Sequence, residues 1–548
     1  MAGTEDDALL PNGKGPPTDS TSSSNQGLSA QLHRIAGARD WDALEQLCDR
    51  YWLALPDLCG PDLVTVFEQI PSDVLQSRPR LLVAWISAFH LSKDTDSKTR
   101  RPYLRGLTDV GEWIASSFDP DTETSAATLA AVGTIVLITI RMRGDLEGAE
   151  RYGQRLSERM AQLNPRPAAE PMARPGWIAF QRGLTRTLMA DFGRAAEQYR
   201  QAHELARSEP TVFFAGLNGV ANLAMIFAHL GHHTATEHWL DTMRSYPPST
   251  PSVAFLLTVG GTIAEGWQAL DRYDQAGVQA ALEITGDGSL SIEVWPFVTA
   301  LAAAHAVHAG RAVEYLDTLQ LVQLNHAGVH TTQGMGLRVL HRALADLLIA
   351  AGKPNHALKL ISEAGPDAHW LTVPAARLRL LNGDYEIART LAARFQSHSA
   401  TAHRDLLQLL LIKAAAALHM GEGTEAARAM NSAMRLRSPD EVLSLTTLPP
   451  ADRAELFRIA TVPLSDLAAE RLAAAPHVFP SNAKLVDLTT RERAVLAELA
   501  TGDTATQIAR TLVVSVNTVR TQIQSIYRKL GASTRDEAIM RASELGIL

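Results

Sequence analysis

Three polar residues near the C-terminus, Arg520, Thr521 and Gln524, have side chains that can read nucleic-acid bases. Arginine can donate two hydrogen bonds to guanine, glutamine can pair with adenine, and the threonine methyl group can contact the methyl group of thymine. Residues at positions i, i+1 and i+4 project from one side of an α-helix. The pattern therefore predicts a helix that reads base edges in the major groove of double-stranded DNA.

A second set of residues is suited to the phosphate backbone. Short polar side chains at helix starts can bind phosphate oxygens together with the unpaired backbone N–H groups, and an arginine can add its charge. The segment from Ser515 to Gly531 contains three basic residues and no acidic one. The predicted phosphate contacts, which would position the domain without specifying sequence, are Thr504, Thr506, Asn517, Thr518 and Arg528.

The segment 488–548 reads as four short helices that would position these side chains. Capping residues mark the helix starts: Thr489 or Thr490 for the first, Thr504 for the second, and Ser515 or Asn517 for the third. In the third helix, one face carries an apolar stripe that predicts burial and leaves the opposite face to DNA. The stripe comprises Val519, Ile523, Ile526 and Leu530.

The strings LTxRE, VLxxLAxG, IAxxL, TVRxxxxxIYRKLG and RxEA in this segment resemble the LuxR-type helix-turn-helix domain. The resemblance implies that the third helix reads DNA through Arg520, Thr521 and Gln524. It also implies pairing through the fourth helix, Arg535 to Leu545, and hence a homodimer on two half-sites. The chain departs from the family at Gln522, where histidine is common, and at Val513, a β-branched residue in the turn.

The distribution of charge changes at the start of this domain. The whole chain has a net charge of −8, but residues 484–548 contain nine basic and seven acidic residues, a net charge of +2. The preceding residues therefore carry −10. This asymmetry favours DNA binding by the C-terminal domain, and it leaves open whether the acidic region masks the third helix.

Between about residues 140 and 435, a helix, a short Gly or Asp turn and a helix that opens with alanine recur. This pattern predicts a helical solenoid of tetratricopeptide-like repeats. Small residues after the turns, such as Ala149, Ala195, Ala357 and Ala388, would let paired helices approach closely. The turns lie within 143–152, 189–199, 229–240, 269–280, 350–360, 381–391 and 419–430.

These patterns together predict an all-α chain in which a tetratricopeptide-like helical solenoid precedes a four-helix LuxR-type domain. Four parts are expected along the chain. Residues 1–27 are rich in Ser, Pro, Gly and Asp and predict a disordered tail. The helical repeat domain is expected at 28–475, a linker with two prolines at 476–484, and the DNA-binding domain at 485–548.

The repeat region, including IPSDVLQSRPRLLVAW, resembles more loosely the sensor region of large LuxR-type regulators of the maltose-regulator kind. Those regulators usually begin with an ATPase domain, but no string here has the GxxxxGK[ST] pattern that cradles phosphates. His232, His233 and His238 lack supporting carboxylate or cysteine ligands at metal-site spacing. We therefore predict no enzyme activity, no metal and no cofactor.

The sequence favours a cytoplasmic protein. Cys48 and Cys59 are too few for a disulfide framework, and the apolar run from Ala126 to Ile140 is shorter than a membrane span. No membrane association is predicted.

The signal that the repeats receive is either a small molecule or a protein partner, and the sequence is compatible with both. Five aromatic residues could line a concave groove, although most such residues belong to a core: Trp267, Tyr273, Trp295, Phe297 and Trp370. Two functions remain: a transcription regulator whose repeats sense a signal, and a repeat scaffold that sequesters a partner and is tethered to DNA. The sequence assigns no ligand-binding residue.

Overall fold

A computed structural model gives the fold of this chain. It describes residues 19–59, 61–91, 111–163, 174–206, 213–249, 251–286, 293–326, 331–396, 402–486 and 488–548. Within these ranges the regular elements are helices, and no strand occurs. The predicted all-α class is confirmed, with a helical region that is consistent with a solenoid ahead of the C-terminal domain.

The described α-helices are numbered here in chain order. They are α1 (Asp19–Gly37), α2 (Trp41–Tyr51), α3 (Leu55–Cys59), α4 (Pro61–Glu68), α5 (Ser72–Ser77), α6 (Pro79–Leu91), α7 (Ala126–Met142, with a π-helical turn at Leu129–Gly133), α8 (Leu146–Leu163), α9 (Trp177–Leu188), α10 (Phe192–Ala206), α11 (Phe214–Leu230), α12 (His233–Arg244), α13 (Pro251–Asp271), α14 (Gln275–Thr285), α15 (Trp295–His308), α16 (Ala312–Asn325), α17 (Gly334–Ala350), α18 (Pro354–Glu363), α19 (Thr372–Asn382), α20 (Tyr385–Gln396), α21 (His403–His419), α22 (Gly423–Leu436), α23 (Pro450–Ile459), α24 (Asp466–Ala474), α25 (Thr490–Ala500), α26 (Ala505–Thr511), α27 (Val516–Leu530) and α28 (Arg535–Glu544). Short 3₁₀ turns lie at Trp52–Ala54, His369–Leu371 and Leu443–Thr447.

Helical hairpins from α7 to α22 form the middle of the chain. The seven turns predicted from the sequence each connect two helices, and an eighth, Ala309–Arg311 between α15 and α16, was missed. The four alanines expected to allow close helix packing are fully buried. Each turn contains one residue with positive φ: Gly144, Ala190, Gly231, Tyr273, Gly310, Gly352, Gly383 and Gly421. The turns therefore share one backbone conformation, which glycine adopts without strain.

The hairpin array curls until distant helices touch. Arg404 at the start of α21 donates hydrogen bonds to the Ala228 carbonyl at the end of α11, at 2.9 Å, and to both carboxylate oxygens of Asp271 at the end of α13. A side chain on Gly231 would collide with the Arg404 backbone. The first helices of successive hairpins consequently line a partly open cavity.

Two predicted boundaries differ from the structure. Helix α1 begins at Asp19, so residues 19–27 of the predicted disordered tail are helical, while residues 1–18 lie outside the described part of the chain. The predicted linker, 476–484, is packed onto the helical region: Val478, Phe479 and Ala483 are buried. Composition predicted separation here because two prolines exclude a helix, but prolines do not prevent an extended segment from packing.

Long apolar helices in the described ranges belong to the packed interior. The run from Ala126 to Ile140 forms most of α7, which is largely buried, as expected for a repeat helix. In α13, Val253–Asp271 is long and apolar enough to cross a bilayer, but 61% of that stretch is buried inside the protein. Such burial is typical of a core helix.

Candidate nucleic-acid interface

The starts of the C-terminal helices are fixed by side-chain caps. Thr489 forms a reciprocal capping box with Glu492 at the start of α25, and Thr504 forms one with Gln507 at the start of α26. Ser515, rather than Asn517, caps α27, accepting from the Thr518 N–H at 3.0 Å. The predicted caps are therefore confirmed, with each ambiguity resolved to the first of the two residues.

Helix α27 has the two faces that the sequence predicts. Val519, Ile526 and Leu530 are buried in a separate core of the C-terminal domain, and Ile523 is half-buried. The three predicted base-reading side chains, Arg520, Thr521 and Gln524, are exposed. The Thr521 hydroxyl donates to the Asn517 carbonyl at 3.0 Å, which leaves its methyl group for an apolar contact.

Two arginines on α27 are electrostatically uncompensated. Arg520 and Arg528 are exposed, and neither forms an ion pair with any residue that the structure describes. Lys529 differs, because it is bound to Glu492 at 2.7 Å. The positive potential of this face thus comes from two guanidinium groups that have no carboxylate partner to displace before they meet an anion.

Glu492 fixes α27 to α25 and was not predicted to do so. Its buried carboxylate accepts from the Ser525 hydroxyl and the Lys529 ammonium group, each at 2.7 Å, and from the Thr489 N–H at 2.7 Å. Burial opposes the charge, but these hydrogen bonds outweigh it and lower the pKa of Glu492 to about 2. The spacing of Thr489 and Glu492 in the sequence is typical of a capping box. The sequence does not indicate that Ser525 and Lys529 of another helix bind the same carboxylate.

Helix α28 supports the C-terminal ends of α25 and α27. Arg541 donates to the Leu530 carbonyl at 3.1 Å and to the Gly531 carbonyl at the end of α27. Arg535 donates to the Leu499 carbonyl near the end of α25. These bonds satisfy carbonyl groups that a helix end leaves unpaired. On the same helix, the apolar residue Met540 is 54% exposed. An exposed apolar residue is what a pairing surface on this helix would present.

The five predicted phosphate-contact residues differ in what their side chains already do. The Thr504 hydroxyl is engaged by Gln507, and the Thr518 hydroxyl lies 2.8 Å from the Ser515 hydroxyl. Thr506, Asn517 and Arg528 are exposed. All five therefore lie on α26, on α27 or at the N-cap of α26, and Thr506, Asn517 and Arg528 present their side chains to solvent.

The C-terminal domain contacts the helical region through its two ends. Val486 N–H donates to the Asn355 side chain at 2.9 Å, and Leu485 N–H to the Asn382 side chain at 2.8 Å. At the other end, a side chain on Gly546 would collide with His356 of α18. The face of α27 that is predicted to read bases remains exposed in this arrangement, so the described contacts do not mask it.

Residues 486–542 match the family model of GerE, described as bacterial regulatory proteins of the luxR family. The C-terminal region is therefore a LuxR-type helix-turn-helix domain, and the chain is a DNA-binding transcription regulator. The match covers α25, α26, α27 and most of α28, and it includes all eight residues predicted to contact DNA.

Proposed function

We propose that this chain is a sequence-specific, DNA-binding transcription regulator whose C-terminal domain reads the major groove with Arg520, Thr521 and Gln524. The exposure of these three side chains on one face of a helix, opposite a buried apolar stripe, is the observation that supports the proposal. Thr504, Thr506, Asn517, Thr518 and Arg528 would contact phosphates and fix the register of the helix.

The active form on DNA would be a homodimer that binds two half-sites. Helix α28 supplies the pairing surface, because it carries the exposed Met540 while its arginines already stabilise the DNA-reading unit. A twofold arrangement would match a palindromic operator, as for other helix-turn-helix dimers. The regulator would work in the cytoplasm, without a metal or a cofactor.

The helical region would receive the signal that controls DNA binding, as a solenoid of tetratricopeptide-like repeats. A partly open cavity of about 430 Å³ within this region favours a small molecule over a protein as the signal. The alternative, a scaffold that sequesters a protein and is tethered to DNA, predicts a stable partner that is recovered in the absence of DNA.

The test is the selection of genomic fragments by the purified full-length protein at two salt concentrations. An Arg520→Ala, Gln524→Ala double variant should lose selectivity, because each base contact contributes about 1–3 kcal/mol of discrimination. Arg151→Ala, Gln154→Ala is the matched control: both residues are exposed on α8, outside the DNA-binding domain.

Selective binding by the wild type and the control, and its loss in the double variant, would establish the proposed reading surface. Equal fragment selection by all three proteins would contradict it. A full-length protein that selects no fragment in any buffer, while holding a protein partner tightly, would establish the scaffold alternative instead.

A further inference from the structure

The partly open cavity lies where the distant ends of the curled array meet. Most of its wall is formed by the first helices of successive hairpins, α11, α13, α15, α17, α19 and α21. Phe192 at the start of α10, the 3₁₀ turns at His369–Leu371 and Leu443–Thr447, and Phe479 of the connecting segment, residues 476–484, complete it. At about 430 Å³, it has the size of pockets that bind small organic molecules. The proposed function assigns no residue to this space.

Four guanidinium groups line the cavity, and three of them are paired. Arg342 binds Asp346 at 2.7 Å and Asp405 at 3.0 Å, and Arg377 binds the same Asp346 at 3.3 Å. Arg404 is bound by Asp271 through both carboxylate oxygens. These ion pairs hold the wall together and leave little charge for a ligand.

Arg338 is the exception. Its guanidinium carbon lies 5.3 Å from the centre of the Trp370 ring, and it has no ion-pair partner among the residues that the structure describes. Burial lowers the pKa of Arg338 from its usual value, which records the cost of holding this cation in a poorly solvated place. A cation so placed gains from an anion that enters the cavity.

The other groups in the wall do not supply that anion. Burial lowers the pKa of both His229 and His308 to about 3, so these histidines are neutral at physiological pH. Behind the wall, the buried Glu441 carboxyl near Asp271 has its pKa raised by burial to about 7. The lining therefore has one cation in excess, which matches a ligand with a single negative charge.

The rest of the wall is apolar and aromatic. Phe192, Trp267 and Trp370 face alanines and valines of α15 and α17. The indole N–H groups of Trp267 and Trp370 are buried and find no acceptor in the described part of the chain. An unpaired buried donor is costly. A ligand with an apolar body and acceptor oxygens would relieve that cost.

Phe479 connects the cavity to the DNA-binding domain. The Arg377 guanidinium lies 4.3 Å from the centre of its ring, so the cavity wall and the connecting segment share a contact. A few residues later, Ala483 N–H donates to the Leu381 carbonyl at 2.9 Å, and the bonds of Leu485 and Val486 to Asn382 and Asn355 follow. The path from the cavity to the DNA-binding domain is thus short and packed.

We propose that the cavity binds a monoanionic organic carboxylate with an apolar or aromatic body, whose carboxylate pairs with Arg338 over Trp370, and that occupancy repositions Phe479 and the segment leading into the DNA-binding domain. This second step rests on the proposed function, because it assigns the signal for that regulator. The first step, ligand binding, stands independently of DNA.

Two carboxylates, decanoate and 2-naphthoate, and their uncharged counterparts, 1-decanol and 2-naphthamide, are titrated into the full-length protein by calorimetry. At least one carboxylate should bind about tenfold or more tightly than its counterpart, since a lost charge-assisted bond weakens affinity by such a factor. Arg338→Gln should abolish this preference. Arg458→Gln, an exposed arginine on α23 that is 70% accessible, should leave it unchanged.

Absence of binding by both carboxylates, or equal binding by the uncharged compounds, would overturn the site. Substitution of a cavity-lining alanine, Ala304→Phe, gives a second check, because a filled cavity should lose affinity while Arg338 stays in place. If Arg338→Gln does not fold, this variant and the comparison with uncharged compounds still decide the question.

Coupling is measured by hydrogen exchange on peptides covering residues 476–486, with and without the carboxylate that binds. Altered protection of the Ala483, Leu485 and Val486 amides is expected, together with a changed affinity for the selected genomic fragment. Ligand binding with neither change would overturn the coupling. Ligand binding by a protein that selects no DNA would leave the site intact and contradict the proposed function, so the two failures are distinguishable.

Discussion

Arginine is used in opposite ways in the cavity wall and on α27. In the wall, Arg342, Arg377 and Arg404 are held by carboxylates from other helices, and they connect parts of the chain that are far apart in sequence. On α27, Arg520 and Arg528 have no such partner in the described ranges and project into solvent. A paired, buried arginine stabilises a fold, whereas an unpaired, exposed one costs the fold little and is available to a ligand.

The largest expected effect is on stability, from Arg404→Met. This change leaves Asp271, whose side chain is 3% exposed, without its arginine partner. Breaking a buried ion pair costs about 3–5 kcal/mol, so the unfolding midpoint of the helical region in urea should fall sharply. Arg520→Met is the converse variant: it should leave the free energy of unfolding within about 0.5 kcal/mol of the wild-type value while weakening DNA binding.

Equal losses in the free energy of unfolding for Arg404→Met and Arg520→Met would contradict the contrast between paired, buried arginines and unpaired, exposed ones. Arg151→Met provides a baseline, because its partner Glu147 and Arg151 itself are both highly exposed. Such surface pairs contribute about 0–1 kcal/mol.

A smaller effect is expected from Glu492→Gln, which removes the charge that fixes α27 to α25. Lys529, whose side chain is 30% exposed, can turn to solvent, so the loss should be about 2 kcal/mol, below that for a fully buried pair. Hydrogen exchange of the α27 amides in the full-length protein measures the change. Glu498→Gln on the same helix serves as the control, and unchanged protection in Glu492→Gln would contradict the assigned role.

The same carboxylate predicts a pH dependence. Its pKa in the folded protein is about 2, below its usual value of 4.5, so the folded state binds fewer protons than the unfolded state in this interval. The stabilisation is therefore fully present above pH of about 4.5 and is lost as the pH falls towards about 2. Protection of α27 should follow that course in the wild type and should be less dependent on pH in Glu492→Gln.

Arg528→Ala should weaken DNA binding by about 1 kcal/mol for all sequences alike, because a phosphate contact carries no base information. The slope of log affinity against log salt should become shallower by about 1. Titrations of a selected and an unselected fragment at several salt concentrations measure both quantities. A loss confined to the selected fragment would assign Arg528 to base reading instead.

The smallest effect concerns Val513, a β-branched residue with φ of 55° in the turn between α26 and α27, where its side chain is 89% exposed. Val513→Gly should stabilise the domain by about 0.5–1 kcal/mol, because glycine adopts this conformation without strain. Ala497→Gly, in the exposed interior of α25, should instead destabilise it by about 1 kcal/mol. Hydrogen-exchange rates of the amides in the C-terminal domain compare the stabilities of the two variants. Destabilisation by both substitutions would contradict the backbone strain predicted at Val513.

Local signals were sufficient to predict much of the DNA-binding domain. The caps at Thr489, Thr504 and Ser515 and the stripe ending at Leu530 depend on residues within one or two helical turns of each other, and the structure confirms them. The seven hairpin turns were equally local. The turn at Ala309–Arg311 was missed because its helices are apolar on several faces, which obscures the period.

The contacts that close the structure could not be predicted in this way. Glu492 and Lys529 are 37 residues apart, and Arg404 and Asp271 are 133 apart. The spacing of apolar residues within each helix does not indicate which helix ends will meet in the folded chain. Among the aromatic residues predicted as possible groove residues, Trp267 and Trp370 line the cavity, whereas Trp295 and Phe297 are core. Their sequence contexts do not separate them, because the curvature of the array decides which face is inward.

Helix α27, as the base-reading element, is the part of the molecule on which the proposed function depends most. The most direct measurement is the selection of random DNA by the full-length wild type, Arg520→Ala and Gln524→Ala, with base preference determined at each position of the bound site. We predict that each variant loses its preference at one position of each half-site, by about 1–3 kcal/mol, and retains the others. Identical preferences in all three proteins would contradict the central claim.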